Sequence, residues 1–295
     1  LTTRLAAPSL AATESEGKMD GKSTRISRLF NSTTGRSIII PVDHGIAMGA
    51  IPGLWDPLDV LARLAALRIE GTLLTPGMWK IASALFQSRD APARVLTADL
   101  PLFSTLPGEP ADVSESDVFV SADFALRHAF DAVKVLLIWG LEREKQMSNL
   151  KMVGRMADDC DRCGLPLMVE PVLWGPGVPP ERKNDPALIE SAARIALELG
   201  ADILKVPYTG EIEPFGELVR RLRVPVLVLG GPKMGSIRDV FQAAHDSMRA
   251  GARGIVFGRN VWQHPSMDDV VRALNAIVHG NMDVDAALAK HALDG

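Results

Sequence analysis

A short apolar run, a turn and an amphipathic helix follow one another repeatedly along this chain, and that alternation limits the fold more than any other feature. Eight such runs stand out: Ser37–Asp43, Gly71–Pro76, Arg94–Ala98, Ala132–Trp139, Pro166–Leu173, Ala201–Pro207, Pro225–Gly230 and Gly254–Gly258. They are rich in β-branched residues and too short for helices, so they read as strands. Helical patterns fall between them. Pro57–Ile69 opens with Asp56 as N-cap and proline at the first helical position. Leu141–Cys163 carries charges at helical spacing, and Pro186–Leu199 starts after Asp185 and stops at Gly200. Ser236–Ala250 and Met267–Val278 complete the set. Near-continuous apolar strands alternating with helices imply a parallel sheet buried on both faces. Eight such units close naturally into an α/β fold of the (β/α)8 TIM-barrel type. An open doubly wound sheet is the second reading; it calls for a G-x-G-x-x-G turn, which the sequence lacks.

Size and composition fit one barrel. The chain has 295 residues, of which 47% are hydrophobic, enough for a large core. The formal net charge of −4 argues against a nucleic-acid partner or an anionic membrane surface. No apolar run is long enough to span a bilayer. Residues 1–22, rich in Ala, Ser, Thr and Glu, read as a flexible N-terminal arm without the basic start and apolar run of a secretory signal. Residues 23–295 then form a single catalytic domain. The long polar stretch Pro101–Ser121 reads as an excursion or lid between the third strand and its helix. Cys160 and Cys163 form a lone C-x-x-C, a pattern used for redox chemistry or zinc. With no second pair and no nearby His pair, they read as structural helix thiols, and the expected location is a reducing cytoplasm.

In a barrel of this kind, chemistry sits where strands end and βα loops begin. Lys205 lies inside Ala-Asp-Ile-Leu-Lys-Val-Pro, a segment otherwise built for burial. Burial and nearby cations favour the neutral amine, which attacks ketones; a salt bridge to a neighbouring carboxylate is the plainer reading. No other strand-end lysine is expected in so apolar a setting, and Lys134 and Lys233 are the competing amines. Gly230-Gly231, with Lys233 beyond, and Gly258-Arg259 end the seventh and eighth runs. Exposed backbone N–H groups with adjacent cations read either as a phosphate cradle or as tight turns beside surface charges. Asp43 and His44 read as an acid/base or orienting pair, with a packed turn histidine as the alternative. Glu170, a carboxyl within an apolar strand, reads as an internal ion-pair partner or a tuned general acid. Trp139, Trp174 and Trp262 read as wall or core.

Together these segments resemble a known superfamily. Ile-Pro-Val-Asp-His-Gly, Gly-Ala-Asp-Ile-Leu-Lys-Val-Pro-Tyr-Thr-Gly, Gly-Gly-Pro-Lys and Gly-Arg-Asn-Val-Trp-Gln are similar to motifs of the archaeal-type class I fructose-bisphosphate aldolases. Their relatives are the 2-amino-3,7-dideoxy-threo-hept-6-ulosonate synthases and the phospho-autoinducer-2 thiolases. The resemblance spans about Ser37 to His279. It implies a TIM barrel assembled as a homo-oligomer, usually a decamer, working by Schiff-base chemistry with no metal and no cofactor. It implies that Lys205 is the Schiff-base lysine, Asp43 the first-strand aspartate, and Gly230, Gly231, Gly258 and Arg259 the phosphate cradle, with Lys233 beside it.

One position departs from the pattern. The fructose-bisphosphate aldolases of this type carry a tyrosine acid/base at the end of the fifth strand, where this chain has Trp174. Indole has no titratable proton for that work. The single tyrosine, Tyr208, lies in the sixth-strand motif and is assigned with Trp174 to the pocket wall. Proton transfer is therefore expected to fall to Glu170, then His44 and Asp43. The apolar strand should raise the Glu170 pKa, while a protonated Lys205 would pull it down. The expected substrate is a phosphorylated ketose-like molecule. A thiolase, a heptulosonate-type synthase and a non-catalytic phosphosugar-binding barrel are the alternatives. A metal-dependent aldolase is disfavoured by six histidines without an H-x-x-x-H pair.

Overall fold

The computed structural model describes residues 21–104, 106–109 and 111–293. Most of the expected N-terminal arm, residues 1–20, lies outside the described residues. Gly21 and Lys22 belong to a helix, Gly21–Arg28, so the expected arm boundary at residue 22 falls within an ordered element.

Ten strands are present among the described residues: β1 Ser37–Pro41, β2 Gly71–Leu74, β3 Ala93–Thr97, β4 Asp99–Leu102, β5 Glu115–Val118, β6 Ala132–Ile138, β7 Leu167–Val172, β8 Ile203–Pro207, β9 Val226–Leu229 and β10 Gly254–Val256. Eight of them are parallel and close into a barrel in the order β1-β2-β3-β6-β7-β8-β9-β10. Ser37 pairs with Gly254 and Ile39 with Gly71, so the first strand joins the last and completes the ring. Each apolar run of the sequence supplies one barrel strand. The remaining two strands, β4 and β5, form an antiparallel hairpin between β3 and the helix Ala122–Arg127. This hairpin is the excursion expected at Pro101–Ser121. None of the helices described is long and apolar enough to cross a membrane.

The helices begin where the sequence provides caps. Asp56 accepts from the Leu58 and Asp59 N–H groups, and Asp185 from Ala187 and Leu188. Ser236 and Asp239 form a reciprocal capping box ahead of Ile237–Arg249. The sequence signals missed the helix Ile212–Leu222, which opens at Glu211 without a side-chain cap.

Strand periodicity fixes what faces the barrel axis. Val95, Ala132, Met168, Ile203 and Leu227 share one buried apolar layer, with Leu29 packed among them. Two residues further along the same strands stand Thr97, Lys134, Glu170, Lys205 and Leu229. A strand alternates its side chains with period two, so these point the same way one layer higher. The apolar layer thus ends where the charged layer begins.

Below it, three carboxylates sit just before strands and accept the N–H of a neighbouring strand. Glu70 accepts from Ile38 at 2.8 Å, Asp131 from Arg94 at 2.8 Å and Asp202 from Leu167 at 2.8 Å. Two of them also meet cations of the N-terminal helix: Arg28 is 3.1 Å from Asp131, and Lys22 is 3.1 Å from Asp202. Cys160 is buried and Cys163 partly so, both as free thiols. Burial pushes the Cys160 thiol well above its ordinary value, which suppresses thiolate chemistry.

Candidate active site

At the C-terminal ends of the strands lies a cavity of about 100 Å³. Asp43, His44, Thr97, Lys134, Glu170, Trp174, Lys205 and Arg259 line it, and the β4–β5 hairpin covers it with Pro101 and Phe103. Phe103 faces the Trp174 ring at 6.2 Å, and the Val113 N–H donates to the Trp174 carbonyl at 3.1 Å, so the hairpin is tied to the end of β7.

The centre of the cavity is a chain of alternating charges. The Lys205 ammonium donates to Glu170 Oε2 at 2.9 Å. Lys134 Nζ lies 3.3 Å from the same oxygen and 3.6 Å from Asp99 Oδ1. Asp99 is fully buried; its other oxygen accepts from the Leu136 N–H at 2.9 Å and the Ser116 hydroxyl at 3.2 Å. Burial opposes the charge on Glu170, but the two ammonium groups outweigh it and hold its carboxyl below the usual carboxylate range. The upward shift expected from an apolar strand is thus reversed, first by Lys205, whose opposing pull was expected, and then by Lys134, a second cation that the strand pattern did not suggest. Burial also opposes the charge on Lys134, and there Asp99, Glu170 and Asp43 prevail, raising its pKa above the ordinary lysine value. For Asp99 burial prevails, and the carboxyl titrates higher than usual despite Lys134 and the Leu136 N–H.

Asp43 sits just past β1 and accepts the Thr97 hydroxyl at 2.6 Å. Burial opposes its ionisation; His44, Lys134, Lys205 and the Thr97 hydroxyl more than offset this and depress its pKa. His44 Nδ1 is 3.5 Å from Asp43 Oδ1, and the Trp262 ring meets the imidazole edge-on at 5.2 Å. Burial pushes the imidazole down to about 4, against the pull of Asp43 and with help from Lys205 and Arg259. His44 is therefore neutral near pH 7. A Cβ at Gly258 would come within 2.7 Å of the His44 ring and 3.0 Å of Pro41, so close packing requires a glycine there.

Arg259 lines the cavity, and its buried Nε makes no hydrogen bond among the described residues. Burial lowers its pKa, with Glu170 pulling the other way. Not every sequence candidate joins this group. The Gly230 N–H is not free for an anion: it donates to the Val256 carbonyl at 3.1 Å as part of the sheet ladder. Gly231 adopts φ +62°, a left-handed turn at the strand end. Lys233 is exposed and lines a separate depression with Met234, Ser236 and His264. Tyr208 packs edge-on against Phe215 at 5.2 Å and lines another depression, beside Glu211 and Asp246, so it does not wall the cavity.

Three residues of this region escaped the sequence reading, and a fourth, Lys134, entered it only as a competing amine. Lys134 lies in a strand buried throughout, which corrects the expectation that Lys205 alone has so apolar a setting. Its signal was the same as that of Lys205: one charge inside an apolar run. Thr97 and Asp99 sit around the β3–β4 junction, where only the hairpin reveals their direction. Asn260 bridges the segments that follow β9 and β10, donating to the Gly230 and Pro232 carbonyls at 2.9 and 3.2 Å and accepting from the Met234 N–H at 2.8 Å.

A barrel with a layer of lysines and carboxylates at its C-terminal mouth can carry carbonyl chemistry. A family model described as DeoC/LacD family aldolase matches residues 37–264, and the chain belongs to that family. It is 33% identical over 273 residues to the 2-amino-3,7-dideoxy-D-threo-hept-6-ulosonate synthase of Halobacterium salinarum, covering 92% of this chain and 97% of that one. It is 31% identical to the 2-amino-4,5-dihydroxy-6-oxo-7-(phosphonooxy)heptanoate synthase of Streptomyces griseus, covering 91% and 94%. Among solved structures it is similar to an archaeal fructose-1,6-bisphosphate aldolase whose catalytic lysine is covalently bound to the carbinolamine intermediate of its substrate. The TM-score is 0.73 and the identity 29%, with 88% of this chain and 100% of that one covered.

Proposed function

We propose that this aldolase-family enzyme makes or cleaves a carbon–carbon bond next to the carbonyl of a phosphorylated ketone, through a Schiff base on Lys205. The observation that carries the reading is the hydrogen bond from Lys205 to Glu170 in a cavity that also holds Arg259 with an unpaired Nε. Of the two buried lysines, Lys134 is clamped by two carboxylates and kept as a cation. Lys205 has one carboxylate partner, which can take its proton. The nucleophile is therefore Lys205, and Lys134 is the fixed positive charge beside it.

In the cleavage direction, Glu170 accepts a proton from Lys205, and the neutral amine adds to the ketone carbon. The carbinolamine loses its hydroxyl as water, using the proton held by Glu170, and an iminium forms. The Asp43 carboxylate takes the proton of the hydroxyl on the far side of the bond to be broken. That C–O closes to an aldehyde, and the carbon–carbon electron pair passes into the iminium as an enamine. Protonation of the enamine carbon and hydrolysis of the imine restore the amine. Synthesis runs the same steps in reverse. Glu170 thus serves the nitrogen and Asp43 the substrate hydroxyl, with Asp43 held by the Thr97 hydroxyl and neutral His44 packed beside it. Arg259, with the Gly231 and Gly258 backbone, is the proposed phosphate cradle; a charge-assisted contact fixes the carbonyl near Lys205.

The names of the relatives support both carbon–carbon chemistry and a phosphorylated reactant. Trp174 stands in the cavity wall where the fructose-bisphosphate aldolases carry a tyrosine, which counts against fructose 1,6-bisphosphate itself; a heptulosonate-type synthesis is the second reading, supported by the names of two relatives. A cleavage assay across phosphoketoses, run with and without coenzyme A, tests the reading. Release of an aldehyde without coenzyme A is the expected result. Turnover only with coenzyme A would assign a thiolase, and ligand binding without turnover in either direction would assign a binding protein.

A further inference from the structure

A second chamber of about 420 Å³ adjoins the cavity, sharing Asp43 and Ile46 with it. It lies between the loop after β1 and the helix after β2, and its walls include Leu54, Pro57, Met78 and Phe119. No lysine, arginine or histidine among the described residues lines it. The Thr75 hydroxyl, its other polar side chain, is occupied in accepting the Met78 N–H at 3.2 Å. The first cavity, by contrast, carries Lys134, Lys205 and Arg259.

We infer that this chamber is the subsite for the aldehyde partner, and that it takes an uncharged aldehyde with an aliphatic body. The inference rests on the Schiff-base reading and adds the substrate class for its other half. Three arguments support it. Asp43 stands at the junction, where the carbon–carbon bond is made, so a molecule in the chamber meets the enamine side of the cavity. The Asp43 carboxylate repels a phosphate or carboxylate group, and no cation in the chamber compensates. The apolar walls gain from burying methylene groups, by about threefold to fourfold in affinity for each. The substrate is therefore two-ended: a phosphate on the Arg259 side and an uncharged chain on the Met78 side.

Binding to the whole enzyme with ¹³C-methyl-labelled methionine tests this without requiring turnover. The probes are 1-hexanol and butyl phosphate. The Met78 methyl should shift saturably with 1-hexanol and not with butyl phosphate. Phe119→Arg, at a position 44% exposed and so tolerant of substitution, should weaken hexanol binding at least tenfold and allow butyl phosphate to shift Met78. With dihydroxyacetone phosphate as donor, kcat/KM should rise from propanal to hexanal and exceed that for glyceraldehyde 3-phosphate. A Met78 resonance unmoved by hexanol, or moved equally by butyl phosphate, overturns the subsite. So does an aldehyde series flat in chain length. Borohydride labelling of Lys205 separates the two layers of the argument. Label on Lys205 with no hexanol binding defeats the subsite alone. Hexanol binding with Lys205 unlabelled defeats the Schiff-base reading and the acceptor role together.

Discussion

At the lower mouth of the barrel, Glu70, Asp131 and Asp202 each accept a strand N–H, and the N-terminal helix brings Arg28 and Lys22 to the latter two. At the upper mouth, Asp99, Lys134, Glu170 and Lys205 meet mainly one another, side chain to side chain, around a cavity. Two strands link the groups: Asp131 precedes β6, which carries Lys134, and Asp202 precedes β8, which carries Lys205. A carboxylate satisfied by backbone is part of the sheet and has one useful protonation state. A carboxylate shared between two lysines can pass a proton from one partner to a substrate and still keep the other partner. On the proposed mechanism the lower mouth serves stability and the upper mouth reactivity, and substitutions at the two ends should separate cleanly.

The largest effect is expected at Glu170. Glu170→Gln keeps size and hydrogen-bonding shape but cannot carry the Lys205 proton, and turnover should fall by about 10²-fold or more. Steady-state kinetics on the folded variant measure this; near-normal turnover would shift the proton work to Asp43 alone. Arg259→Ala comes next. Loss of a charge-assisted contact should weaken phosphorylated ligands by roughly 1.5–3 kcal/mol and leave unphosphorylated analogues almost unchanged. Isothermal titration with both ligand types decides; equal losses would make Arg259 structural.

The lower mouth should respond in stability only. Asp131→Asn removes the charge paired with Arg28 while leaving a group that can accept the Arg94 N–H. It should cost about 2 kcal/mol in urea unfolding without changing kcat. A fall in kcat with unchanged stability would break the division between the two mouths.

His44 gives the pH test. The folded imidazole is held neutral down to about pH 4, whereas the unfolded one takes its proton near 6.5. Between those values the unfolded state binds the extra proton, so stability is full above 6.5 and falls as pH drops through the window, by about 2 kcal/mol at pH 5. His44→Gln should show a smaller loss between pH 7.5 and 5 in urea midpoints. Parallel losses in both proteins would mean that another group titrates. Trp174→Phe should be the mildest change, within about threefold in kcat/KM, since the ring acts as wall.

The fold was legible because a buried parallel strand is nearly all apolar and several helices open at a capping Asp or Ser. Ser37–Asp43 against the observed Ser37–Pro41 shows the usual blur at an end, where apolar character outlasts the ladder. Lys205 and Glu170 were legible as single charges in apolar runs. Lys134 carried that signal too, but in the body of its run, and only the barrel layer shows that the body reaches the cavity. Asp99 depends on a hairpin whose direction sequence does not specify, so a carboxylate that binds Lys134 fell between the elements assigned from the sequence. Tyr208 and Lys233 misled for the converse reason: they flank strand ends, but the turns after β8 and β9 carry them into other depressions.

The central claim is that Lys205, not the neighbouring Lys134, forms the covalent bond. Borohydride reduction of the intact enzyme with dihydroxyacetone phosphate, followed by peptide mass mapping, tests it most directly. One adduct per chain on the Lys205 peptide, absent in Lys205→Met, is the predicted result. An adduct on Lys134 or Lys233, or none in the folded wild-type enzyme, would contradict the account.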